Sequence, residues 1–264
     1  MAYLIAIDDG HGMSTAGKRT PRLPDSRVMK ENEFNRAVAA LLDAHLRRSG
    51  FRTLLVAPTD SDTPLRERTR AANNAKVDFY ISIHANAYGN GWNSVRGIET
   101  YHFTGGNEGR KAAEIIHRYL LGGTVLPNRG VKNRKNLAVL RDTLMPAVLV
   151  ECAFMTNLDD ALLLLSDSYR AECARELALG ICEYFGVPFN AGSGGGTDEA
   201  SEENPEEEPG EGGGEEVIQM TAEDANKIIR FLSAAYFATD SAEARKEFNR
   251  LANELRLVSG QEPQ

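Results

Sequence analysis

The chain has 264 residues, 42% hydrophobic and 26% charged, with a formal net charge of −8. That is enough for one full domain and a smaller companion, and the composition is globular rather than disordered. The charge is local: residues 190–216 hold ten acidic residues and no Lys or Arg, whereas residues 1–189 carry 24 basic and 21 acidic side chains. With no dense basic block, nucleic acid is excluded as the main partner.

Tyr3–Asp8 is an apolar run that predicts a short strand. Glu31–Ser49 has helical periodicity, with Phe34, Val38, Leu41, Leu42 and Leu46 on one face and Gly50 as the stop. Phe51–Ala57 predicts a second strand. Leu65–Ala75 predicts a helix, with Asp62 or Thr63 as its cap before Pro64. Phe79–Ile83 predicts a third strand, and the alternation of Arg96–Phe103 predicts an edge strand. Ala112–Leu121 predicts a helix, Leu137–Leu140 and Ala147–Val150 short buried strands, and Leu158–Leu165 and Tyr169–Phe185 closing helices. This order predicts an α/β fold: a twisted, mostly parallel sheet flanked by helices.

The catalytic-sized domain is expected over 1–189. Residues 190–216, with eight Gly, two Pro and no apolar side chain larger than Ala, predict an acidic, flexible linker, with an r.m.s. span of about 30 Å before charge repulsion extends it. Residues 217–264 predict a small all-α C-terminal module of two helices. Thr221 caps the first, whose stripe is Ala225, Ile228, Ile229, Leu232, Ala235 and Tyr236. Asp240 or Ser241 caps the second, whose stripe is Ala244, Phe248, Leu251, Ala252 and Leu255, with Gly260 as the stop. So small a core is marginal alone, so a partner, a second copy or the larger domain is expected to cover it.

No apolar run approaches the roughly 18–20 residues that span a bilayer, so no membrane insertion is expected. Met1–Asp8 lacks a basic n-region and a long apolar core; the expectation is a protein made in the cytoplasm without a signal peptide. Cys152, Cys173 and Cys182 are odd in number and form no CxxC pair, which predicts free thiols.

The chemical clue is where polar residues interrupt apolar strands. The first strand runs into Asp8-Asp9-Gly10-His11-Gly12, the third into Ser82-Ile83-His84-Ala85-Asn86, and the last into Val148-Leu149-Val150-Glu151-Cys152. Ligands of open α/β sheets bind at the carboxyl ends of strands. Parallel strands would therefore bring His11, His84 and Glu151 to one edge, with Glu31 near it at the start of the first helix. Two imidazoles and a carboxylate suit a catalytic Zn²⁺, leaving one position for water, and a further carboxylate can carry that water's proton. Each residue also has a plainer reading: a hydrogen-bonded strand-end histidine, or in Glu31 a partner for the helix dipole. A carboxylate at the end of an apolar strand, as in Glu151, is harder to explain without a function, because burying it bare is costly. His45 and His117 are expected at the surface. His102, ending the suspected edge strand, is a candidate substrate contact, as is Asn86.

Ile7-Asp8-Asp9-Gly10-His11-Gly12, Glu31-Asn32-Glu33-Phe34-Asn35, Ser82-Ile83-His84-Ala85-Asn86-Ala87 and Pro146 to Asn157 together resemble the zinc-dependent N-acetylmuramoyl-L-alanine amidases of the amidase-3 type. Arg129-Gly130-Val131-Lys132 followed by Leu137-Ala138-Val139-Leu140 fits the same pattern, and the resemblance spans about residues 3–187. It implies one Zn²⁺ per catalytic domain, held by His11, Glu31 and His84, with Glu151 as the catalytic carboxylate. The substrate it implies is bacterial peptidoglycan, cut between N-acetylmuramic acid and L-alanine of the stem peptide. Asp9 and Ala153 depart from the pattern without removing a ligand. The layout of catalytic domain, polar tether and small module resembles phage or prophage endolysins, which reach the wall through a holin-type lesion. A sporulation or autolysis amidase and a zinc peptidase acting on the stem peptide are the alternatives, and a wall-binding protein with spent catalytic residues is a third. The module at 217–264 is then expected to target the wall or to form a homodimer.

Overall fold

The structure, a computed structural model, describes residues 2–124, 126–192, 221–222, 225–226, 228–229 and 242–260, the last of these with side chains from 250 onward. The chain divides into two compact units, Met1–Gly192 and Ser193–Gln264.

In the first unit the elements run β1 (Leu4–Asp8), α1 (Glu31–Arg48), β2 (Arg52–Leu55), α2 (Leu65–Ala75), β3 (Phe79–Asn86), β4 (Ile98–Phe103), α3 (Asn107–Gly122), β5 (Asn128–Arg134), α4 (Ala138–Arg141), β6 (Ala147–Phe154), α5 (Leu158–Leu165) and α6 (Asp167–Phe185). Among the described residues, six strands form one sheet in the order β2-β1-β3-β6-β4-β5. β2, β1, β3 and β6 run parallel; β4 is antiparallel to β6, and β5 is parallel to β4.

Alternation along the strands divides the sheet into two faces. Ile5, Ile7, Ile81, Ile83, Val148 and Val150 enter the larger core, shared with Phe34, Val38 and Leu42 of α1, Ile116 of α3 and Leu177 of α6. The other face carries Ala6, Tyr80, Tyr101 and Leu149, packed with Ala72 of α2 and Val139 and Leu140 of α4. Continuing the same alternation past Ala6, Tyr80 and Leu149 reaches Asp8, Ser82, His84 and Glu151.

α1 begins where Glu33 accepts a hydrogen bond from the Lys30 amide at 2.9 Å, a capping arrangement that satisfies an orphan donor. Its buried stripe is Phe34, Val38, Leu42 and Leu46; Leu41, expected on that stripe, is 38% exposed.

Several expectations need correcting. The strand at Ile98–Phe103 is not an edge: β5 lies outside it. β5 escapes sequence reading because it is polar, with Val131 its one apolar side chain, as befits an edge protected against pairing. Leu137–Leu140 is not a strand. Leu137 is extended, but the Asp142 amide already bonds the Ala138 carbonyl at 2.8 Å, closing the turn of α4. A four-residue apolar run carries no periodicity with which to tell the two apart. The α2 cap position is Pro64, with no side-chain cap; Asp62 is occupied by Thr15 and Arg68. β2 is shorter than expected, and β3 and β6 run on to Asn86 and Phe154. His117 is buried, held between the Thr100 hydroxyl and the Asn128 amide oxygen at 2.9 Å each. The three cysteines are buried free thiols.

The first residues assigned to the linker belong to the first unit, because the Asn190 amide bonds the Ser49 hydroxyl at 3.0 Å; residues 193–216 lie outside the described residues. In the second unit, Ala222, Ala225, Asn226, Ile228 and Ile229 are helical. The Ala225 amide bonds the Thr221 carbonyl, and Ala225 and Ile229 are buried while Ile228 is 41% exposed. α7 (Ala242–Val258) follows, with Ala252 buried and Gly260 beyond it at positive φ. Leu232, Ala235, Tyr236, Asp240, Ser241 and the side chains of Ala244 and Phe248 lie outside the described residues. Among the described residues no helix is long and apolar enough to cross a membrane.

Candidate active site

β1 leaves the sheet through a turn that only a residue without a side chain permits. Gly10 has φ +30°, and a Cβ there would lie 2.5 Å from Cε1 of His84. His11 follows at φ +61°, a left-handed conformation that costs a non-glycine residue about 1 kcal/mol or more. Hydrogen bonds hold it there. The Asn32 amide donates to the carbonyls of Asp9 at 2.7 Å and Gly10 at 2.9 Å, Asn35 donates to Gly10 at 3.1 Å, and Arg68 donates to the His11 carbonyl at 3.0 Å.

Glu31, the first residue of α1, is 1% exposed, which a mere helix-dipole partner would not be. Its Oε1 lies 2.9 Å from His84 Nδ1 and its Oε2 lies 3.4 Å from His11 Nε2. The two imidazoles meet edge to face, with centroids 4.9 Å apart. One ligand atom from each of His11, Glu31 and His84 falls within 4.8 Å of the others, a cluster able to hold a metal ion. Burial pushes His11 down to about 4 and so keeps it neutral, with its nitrogens available as ligands. Burial would raise Glu31, but the His84 hydrogen bond and charge outweigh it and the carboxyl lies below its usual range.

His84 is further steadied from behind. Its Nε2 lies 3.1 Å from the Ser82 hydroxyl, which donates to Asp8 at 2.7 Å. Asp8 also accepts from Tyr80 at 2.9 Å and from Arg68 at 2.5 Å. Arg68, 1% exposed, also donates to the Thr63 carbonyl at 2.7 Å and to Asp62 at 2.9 Å. It thereby ties α2 and the loop before it to β1.

Glu151 is the register partner of His84 on β6. Its Oε2 is buried without a hydrogen-bond partner among the described residues. Burial, reinforced by the nearby charges of Glu31 and Glu99, pushes its carboxyl up to about 8 against the opposing pull of His84. An orphaned carboxylate oxygen beside a two-imidazole, one-carboxylate donor set fits a catalytic zinc site with an adjacent proton carrier.

The structure therefore brings His11, Glu31, His84 and Glu151 to one place. Asn86 lies at the same edge, but its amide is turned to Glu99 at 3.3 Å. His102 does not join them: β4 runs antiparallel, so His102 pairs with Val148 near the opposite end of β6, and its Nδ1 lies 2.9 Å from the Phe103 carbonyl oxygen. Asp9 has a structural explanation: its carboxylate accepts from Arg36 at 3.3 Å, and Arg36 also binds Asp60 and the Thr59 carbonyl. Sequence reading misses Glu99, which pairs with Glu151 across β4 and β6 and is 3% exposed. The signal was present, since Glu99 is a carboxylate inside an apolar alternation, the criterion that singled out Glu151.

Replacing Gly10 with Ala is expected to drive a methyl into the His84 ring and separate the cluster. An ångström of misplacement costs on the order of 100-fold in rate, so any hydrolytic activity of this centre should fall by that order together with its affinity for a divalent ion. Titration with a colorimetric chelator measures the second; unaltered ion affinity would show that the turn tolerates the methyl.

A profile of the N-acetylmuramoyl-L-alanine amidase family (Amidase_3) matches residues 5–183. The chain is 33% identical over 183 residues to the N-acetylmuramoyl-L-alanine amidase LytC of Bacillus subtilis, covering 69% of this chain and 35% of that one. To the endolysin of Bacillus phage SPP1 it is 29% identical over 201 residues, covering 73% of this chain and 69% of that one. Among solved structures, the catalytic domain of the amidase CwlV from Bacillus (Paenibacillus) polymyxa var. colistinus superposes with a TM-score of 0.64 at 29% identity. That match covers 70% of this chain and 99% of that one.

Proposed function

Because the chain belongs to the N-acetylmuramoyl-L-alanine amidase family, Amidase_3, we propose that its first unit hydrolyses the amide joining N-acetylmuramic acid to L-alanine of the peptidoglycan stem peptide. The observation that carries the proposal is the convergence of His11, Glu31 and His84 within 4.8 Å, with Glu151 in register beside His84. His11, Glu31 and His84 would hold one zinc ion, which supplies Lewis acidity toward a carbonyl oxygen and lowers the pKa of water.

The protein's own residues do the rest. Arg68, Asn32 and Asn35 fix the turn that presents His11. Ser82 and Asp8 hold the His84 ring from behind. Glu151 Oε2, with no other hydrogen to accept, takes a proton from the attacking water and returns it to the leaving nitrogen. The carbonyl carbon gains the hydroxyl as the C–N bond breaks.

The relatives include a bacterial N-acetylmuramoyl-L-alanine amidase and a phage endolysin. We read this chain as endolysin-like: a catalytic unit, an acidic segment and a small helical module. The module at 217–264 raises the enzyme's local concentration on a polymeric substrate, by wall binding or by pairing two catalytic units.

Incubation with purified walls is the test. Lysis should expose new L-alanine amino termini, stop on exhaustive chelation and return with Zn²⁺. New amino termini elsewhere in the stem peptide would identify a peptidase instead, and lysis persisting without metal would overturn the metal mechanism.

A further inference from the structure

The candidate centre continues across the sheet. His84, Glu151 and Glu99 are register partners on three adjacent strands, β3, β6 and β4. Beyond Glu99 lies β5, where the ladder is irregular: Ile98 pairs with Asn128 and Thr100 with Val131. Arg129 and Gly130 together thus oppose Glu99, and Gly130 takes φ +86°. In a regular strand, residues 129 and 132 would face opposite ways. The bulge turns both Arg129 and Lys132 to the side of Glu99, the kind of re-aiming that bulges provide beside active sites.

The resulting cluster carries more positive charge than it needs for itself. Glu99 Oε1 lies 2.6 Å from Arg129 Nε and 2.7 Å from Lys132 Nζ. Its Oε2 accepts from Asn86 at 3.3 Å and from the Tyr101 hydroxyl. Burial would raise the Glu99 carboxyl, but hydrogen bonds from Lys132, Tyr101 and Arg129 hold it down at about 2. One buried anion thus anchors two cations. The guanidinium of Arg129 also lies over the Phe154 ring at 4.9 Å, which fixes its plane. Its terminal nitrogens make no hydrogen bond to a described side chain or carbonyl, and the Arg129 and Lys132 side chains are 35% and 33% exposed against 4% for Glu99.

Resting on the amidase reading, we propose that Arg129 and Lys132, seated on Glu99, bind the free α-carboxylate that the stem peptide carries on its second, γ-linked residue. The reach is suitable. Two residues of extended peptide span about 7 Å, and one strand spacing of about 4.8 Å separates Glu99 from Glu151, with the two cations on its far side. A planar guanidinium and a point ammonium together match a carboxylate better than either does alone. Bound there, the carboxylate sets the direction of the peptide across the sheet and brings its first amide to Glu151.

Two synthetic MurNAc-tripeptides, identical except for a free or amidated α-carboxyl on the second residue, test this directly with the full-length, zinc-loaded enzyme. The expected result is at least a tenfold preference in kcat/KM for the free acid, carried mainly by KM. Arg129→Gln and Lys132→Met should each shrink the ratio toward unity, and Arg129→Lys should retain part of it. A purely structural role for the two cations would change kcat or thermal stability and leave the ratio where it was. Equal cleavage of both tripeptides by the unaltered enzyme overturns the inference and leaves the amidase reading standing. Cleavage of neither, by enzyme that binds zinc, overturns both.

Discussion

Glu151→Gln is expected to lose wall lysis by about 10²- to 10⁴-fold, the range that general acid–base groups contribute, while zinc binding stays intact. The substitution keeps the shape of a side chain whose Oε2 is buried without a hydrogen-bond partner but removes its capacity to carry a proton. Burial pushes the parent carboxyl above its ordinary range, which favours its taking up a proton. Metal content by atomic absorption and turbidity loss of walls are read on the same preparation. A variant that loses its zinc would mean that Glu151 is a fourth ligand; one that keeps full activity would move the proton carrier elsewhere.

The second large effect is on stability. Arg68 and Asp8 are each 1% exposed. Removing one partner of a buried ion pair strands the other and costs about 3–5 kcal/mol. At about 2–4 °C per kcal/mol for a domain of this size, Arg68→Met should lower Tm by about 10 °C. Asp8→Asn in the Arg68→Met background should recover part of the loss, because the stranded charge is gone. Differential scanning calorimetry of the parent and the two variants decides the matter; an unchanged Tm for Arg68→Met would mean that the buried pair does not stabilise the fold. Activity should fall as well, since Arg68 also holds the His11 carbonyl.

The parallel half of the fold is legible in the sequence because β1, β3 and β6 are runs of buried apolar residues, and each polar interruption marks a strand end. That logic places His11, His84 and Glu151 at one edge and needs only the helix start to add Glu31. It fails on the other half for physical reasons. β5 is an edge strand whose residues answer to solvent and to Glu99, so it carries no apolar alternation. The direction of β4 is invisible in its composition; direction brings Glu99 to the site end and alternation turns it to the site face, whereas His102 lies at the other end on the opposite face. Arg68 reads as one more charge on an exposed helix; its burial depends on Asp8, on a strand that only the folded sheet brings beside it.

The three residues of the metal cluster and the carboxylate beside it come from different stages of the chain. His11, Glu31 and His84 are all supplied by the segment that ends with β3, whereas Glu151 arrives on β6, the last strand, which must slot between β3 and β4. Contacts between segments so far apart in sequence are slow to form. The candidate ligand trio lies wholly within the turn after β1, α1 and β3, and the carboxylate proposed as proton carrier lies wholly on β6. Under the proposed function, ion binding and proton transfer would therefore draw on different parts of the sheet, so a change confined to β6 is expected to cost hydrolysis without costing the ion.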